Sequence, residues 1–163
     1  PFDTYQRMRL LEELPATVSV LHTVRFGVLA ALEVSQDQRF RTWAQGWLAG
    51  RGRSREEMDA EWMITREAVA RGSSRTPGRE AELASAREAV VAARTWAAIE
   101  TMRQEVMQRP NDWPVWREEV QKAKLYAYEH ALEAVSPTRA IRRLNFVVLA
   151  DQAFAEMERT GLS

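Results

Sequence analysis

The stretch Asp37–Ser54, DQRFRTWAQGWLAGRGRS, decides the fold. Phe40, Trp43, Ala44, Trp47 and Leu48 recur at spacings of three and four. On an α-helix that is one face, and a face so apolar must pack against another element. Gly50 follows where a left-handed residue ends a helix without a Cβ penalty, and Ser54 with Glu57 reads as a capping box opening the next helix. Two tryptophans one turn apart, followed by a tight basic turn, make a helix-turn-helix unit of architecture. They do not make a reactive centre.

The same helical pitch extends in both directions, and no segment alternates with period two. Upstream, Asp3 caps a first helix to Leu14, before Pro15, and Thr17 begins a second with Val24, Val28 and Leu32 on its buried face. Downstream, a fourth helix runs from Arg55 to Arg71, followed by a Ser/Thr/Pro/Gly loop over 73–78. Pro77 suits the first turn of a long fifth helix that ends near Arg109. Ala84, Ala89, Ala92, Ala93 and Ala97 mark that helix as the centre, since alanine favours helix and lets axes approach closely. A sixth helix starts at Trp113, and Ser136-Pro137 caps a seventh ending at Gly161. The expected architecture is an all-α bundle of about seven helices joined by short connections, with residues 1–163 as one domain.

Composition narrows the function classes. Hydrophobic residues at 45% and charged residues at 28% are those of a globular domain. The 23 basic and 23 acidic side chains cancel, so nucleic acid or an anionic membrane would need a local patch. Cysteine is absent, which excludes disulfides and thiol chemistry and fits a reducing compartment. The apolar run Val18–Val34 contains His22, Arg25 and Glu33 and is short of the roughly 20 apolar residues of a membrane span. Nor does a basic segment followed by an apolar one open the chain, and the expected location is cytoplasmic.

Reactive constellations are missing. Neither His22 nor His130 has a Glu three residues before it, as a di-iron bundle requires. His22 reads as a boundary residue, and His130, between Glu129 and Glu133, as a solvated one. Ala49-Gly50-Arg51-Gly52-Arg53-Ser54 has the glycines of a phosphate loop, but a Walker loop follows a strand and ends Gly-Lys-Ser/Thr. There is no Gly-x-Ser-x-Gly nucleophile elbow. Glu80, Glu82, Arg87 and Glu88 have the spacing of ordinary surface ion pairs. No catalytic residue, metal ligand or cofactor is expected.

Two clusters remain as candidate binding residues. Arg39, Arg51, Arg53 and Arg55, with Arg41 among them, concentrate positive charge around the turn, although Glu56, Glu57, Asp59 and Glu61 follow at once. Trp113 and Trp116 open the sixth helix, and exposed tryptophans near arginine are typical interface anchors. Arg142 and Arg143 form a smaller basic pair.

Arg39-Phe40, Trp43-Ala44, Trp47-Leu48-Ala49-Gly50 and Arg53-Ser54, ahead of an alanine-rich helix, resemble a class of all-helical bacterial immunity proteins associated with polymorphic toxins. The resemblance covers roughly Leu29–Ala98. It rests on helix stops and packing residues, and the chain departs from the pattern in its missing cysteines and in its segment Trp113–Ser163. It implies a protein that neutralises a toxin by binding it, and it assigns no functional residue beyond those packing positions.

The expected function is therefore a non-catalytic protein-binding module with a protein partner, or a second copy of the chain if the tryptophans are exposed. One alternative is a helical-bundle enzyme or small-ligand binder using arginine and glutamate, which a pocket of convergent charges would favour. The other is a nucleic-acid binder using Arg39–Arg55, disfavoured by the charge balance.

Overall fold

The computed structural model describes residues 19–71 and 77–160. They form six α-helices: α1 (Val20–Val34), α2 (Gln38–Leu48), α3 (Arg55–Arg71), α4 (Pro77–Gln108), α5 (Trp113–Val135) and α6 (Phe146–Thr160). Two 3₁₀ turns, Pro110–Asp112 and Ser136–Ala140, flank α5, and no strand occurs among the described residues. The helix expected over Asp3–Leu14 lies outside them.

Local chemistry sets most boundaries. Ser19 caps α1, accepting from the His22 backbone N–H (3.2 Å), while the Ser19 N–H donates to His22 Nδ1 (3.2 Å). Histidine thus fills the place that Glu or Gln takes in a capping box. Asp37 caps α2 by accepting from the Arg39 N–H (2.9 Å). At the far end of α2, Gly50 has φ +90°, the Gly50 N–H donates to the Trp47 carbonyl (3.0 Å) and the Arg51 N–H to the Gly46 carbonyl (2.9 Å). This is a Schellman motif, as the position of Gly50 predicts. The Ser54–Glu57 box also forms, with reciprocal bonds of 3.1 and 3.2 Å.

Helix α4, 32 residues and about 48 Å long, lies against α1, α3 and α5 and is the centre of the bundle. Ala89, Ala92 and Ala93 on α4 and Ala127, Ala131 and Ala134 on α5 are completely buried, and the two helices share the most extensive contact among the described elements. The Ser85 hydroxyl donates to the Ala134 carbonyl across that contact (2.6 Å). Helix α1 crosses α5 at Gly27, where a Cβ would stand 2.8 Å from the Ala131 carbonyl oxygen. Every helix reaches one shared core, from Val24 and Val28 through Phe40, Trp47 and Met58 to Leu149 and Ala153.

The last helix differs from expectation. Ser136-Pro137 does not cap a continuous seventh helix. Instead α5 tightens into a 3₁₀ turn, where the buried Thr138 hydroxyl donates back to the Val135 carbonyl (2.6 Å). The chain then runs irregularly until Asn145, whose Oδ1 accepts from the Val148 N–H (3.2 Å) and starts α6. Among the described residues, no helix is long and apolar enough to cross a membrane.

Candidate functional site

The basic turn is largely drawn into the fold. Arg39 donates to the buried Glu61 carboxylate (2.6 Å) and to Thr65 (3.5 Å), tying α2 to α3. Arg41 donates to the Leu32 and Ser35 carbonyls (2.8 and 3.0 Å), which the end of α1 leaves unmet. Arg53 packs over Trp47, 4.6 Å from the ring centroid, and over Trp96 at 5.4 Å, while its Nε donates to the Trp47 carbonyl (2.8 Å). Burial, and then the nearby Arg25, pull the Arg53 pKa down to about 10, so it stays charged at neutral pH. Arg51 and Arg55 remain exposed. The candidate arginines therefore do not form one patch. Of the acids that follow, Glu61 neutralises Arg39, whereas Asp59 reaches across to Arg94 (2.6 Å) and Glu57 serves the cap.

Trp113 and Trp116 sit at the far end of the α4–α5 pair. Pro110, lacking an N–H, closes α4, and Pro114 lies in the first turn of α5. From Arg94, the last point where α3 is tied by an ion pair, α4 runs on for about 21 Å to Gln108. Every residue from Arg103 to Glu119 is exposed except the half-buried Val106 and Trp116. Met107 is 81% exposed, Val115 75% and Trp113 42%. Three large apolar side chains thus crown a hairpin end, with Arg109 and Arg117 exposed beside them.

A second feature is a cleft of about 280 Å³ where α3, α4 and α5 meet. Arg55, Asp59 and Trp62 line it from α3, and Tyr126 and His130 from α5. Its floor is a stripe of α4 at helical spacing, Arg87, Val91, Arg94, Thr95 and Ala98. The Arg94 guanidinium lies 6.0 Å from the Trp62 ring centroid. His130 is not solvated: its ring, edge-on to Tyr126 at 4.1 Å, bonds the half-buried Glu88 carboxylate of α4 through Nδ1. The other oxygen of Glu88 stands 3.9 Å from the Arg87 Nε. None of this was readable locally, because the three stripes belong to separate helices. The sequence signal is that Arg87 and Arg94 recur at helical spacing with Val91 and Ala98 on one face of α4.

His22 stacks on Phe154 of α6 at 4.3 Å, and burial together with Arg25 lowers its pKa. It is a boundary residue, as expected. Arg142 is paired with Glu33 of α1, and Arg143 is exposed. Among the described residues, no three acidic or histidine side chains come close enough to hold a metal ion. Compared with known proteins, the chain matches no family model, no curated protein and no solved structure.

Proposed function

We propose that the chain is a non-catalytic protein-binding module that engages its partner with the end of the α4–α5 hairpin. One observation carries this reading: Met107, Trp113 and Val115 are each exposed at an end of the hairpin that contributes little to the shared core. Tryptophan and arginine dominate binding energy at interfaces, and apolar clusters at a protein surface mark contact sites. The partner surface that fits is an apolar pocket able to take an indole ring. Nucleic acid suits the geometry less, because Arg39, Arg41 and Arg53 are held by carboxylate, carbonyl and indole groups inside the fold. That the partner is a toxin rests on the resemblance of Phe40–Ser54 to immunity proteins. Those positions are packing and turn residues here, so the resemblance speaks to the scaffold and leaves the contact surface to the hairpin. Action in the cytoplasm belongs to the same proposal, supported by the absence of cysteine.

A photo-crosslinking amino acid in place of Val115 tests the reading. It should join the chain to one protein of the native cell. That protein, once purified, should bind the wild-type chain and lose about tenfold or more in affinity to Trp113→Ala combined with Val115→Ser. Equal binding by the double variant, or no crosslink from the hairpin end, overturns it. For a toxin partner, co-expression of the chain restores growth and the double variant does not.

A further inference from the structure

The α3–α4–α5 cleft holds an excess of positive charge among its lining side chains. Three guanidinium groups face one carboxylate among the side chains that line it. Asp59 is committed to Arg94 through Nε (2.6 Å). Among the described residues, Arg87 has only the 3.9 Å approach of Glu88, which already bonds His130. Arg55, the first residue of α3, has no ion pair with any described residue.

The walls are aromatic and the floor is small. Trp62 and Tyr126 come from helices on either side of α4, and between them Val91 and Ala98 leave room. At about 280 Å³ the space lies just under the range that drug-sized ligands occupy, enough for a single ring with one acidic group. Guanidinium forks recognise carboxylate and phosphate oxygens, and their planar faces stack on rings. We propose that this cleft binds a small anion carried on an aromatic ring, a carboxylate or a phosphomonoester. Arg55 and Arg87 hold the acid group, and the ring lies over Val91 and Ala98 beside Trp62. His130, fixed by Glu88, positions Tyr126 as the opposite wall.

The full chain can be titrated with phenyl phosphate, benzoate and inorganic phosphate while the indole N–H resonance of Trp62, assigned with Trp62→Phe, is followed by NMR. Phenyl phosphate or benzoate should shift that resonance saturably at roughly millimolar concentration, and inorganic phosphate should bind more weakly. Which of the two ring-borne anions binds tighter identifies the acid group. Arg55→Gln and Arg87→Gln, both surface changes, should each weaken binding about tenfold. Ala98→Leu should abolish it by filling the floor with every charge retained, and unchanged thermal midpoints show that these variants fold. Trp113→Ala should leave the titration unaltered, which separates this site from the hairpin surface. The proposal is overturned if no probe gives a saturable shift, if the arginine or Ala98 variants bind as tightly as wild type, or if inorganic phosphate matches the ring-bearing anions. Saturation by an acidic peptide alone would likewise overturn it, in favour of a partner's side chain as the occupant.

Discussion

Gly27 shows how far one missing atom shapes this bundle. Helices α1 and α5 approach so closely there that a methyl group would meet the Ala131 carbonyl oxygen at 2.8 Å. The obstacle is backbone, which cannot rotate aside. Gly27→Ala should destabilise the protein by about 1–3 kcal/mol despite the better helix propensity of alanine, measured by urea unfolding. His22 makes a second prediction at this scale. Its Nδ1 accepts from Ser19, and its pKa is lowered by burial and by Arg25, so the folded state prefers the neutral ring. The unfolded chain takes up the proton at the ordinary value of 6.5. Folded stability is therefore full above that value and declines as the pH falls below it, where the unfolded state binds more protons. His22→Gln keeps the capping acceptor at the same helical position and should remove this component of the decline, read from thermal midpoints across the mildly acidic range.

At the scale of elements, the legible parts are those fixed by neighbours in sequence. Helix α3 occupies Arg55–Arg71 and α4 starts at Pro77, as the Ser54–Glu57 box and Pro77 predict. The turn between α2 and α3 is equally local, and its dependence on Gly50 is testable. At φ +90° the backbone there is strained for any L side chain, while a Cβ would meet open space. Gly50→Ala should therefore cost about 1–2 kcal/mol from backbone conformation alone, with the fold unchanged, by calorimetry. Helix α6 starts later than expected because Ser136-Pro137 looks like a cap only in isolation. Nothing local reveals that the Thr138 hydroxyl turns inward to Val135, although Asn145 before Phe-Val-Val-Leu carried the true start signal. Glu82 was similarly opaque. It pairs with Arg79 (2.8 Å) as its spacing suggests, yet it is buried and also accepts from the Gln36 N–H at the α1–α2 corner (2.7 Å).

Over the whole molecule, the bundle divides along α4. Around Ala89–Ala97 the helix is enclosed by α1, α3 and α5, and those residues include the most deeply buried in the chain. Beyond Arg103 it is exposed nearly all round. The two candidate surfaces fall on either side of this division, which is why the sequence disclosed one and hid the other. Trp113 and Trp116 are three residues apart and legible as a pair, whereas the cleft exists only once three helices are assembled. Amide hydrogen exchange should follow the same division. Protection along α4 should be close to that of global unfolding at Ala92 and Ala93, and should fall by orders of magnitude toward Gln104–Gln108, because opening the hairpin end exposes almost no additional apolar surface. By the same reasoning Trp113→Ala should shift folding stability by no more than about 0.5 kcal/mol, the usual bound for surface substitutions. Uniform protection along α4, or a large loss of stability in that variant, would mean that the hairpin end is an integral part of the core and that its apolar residues serve folding. A steep gradient with a neutral Trp113 variant leaves those residues without a part in folding, as the proposed recognition role requires.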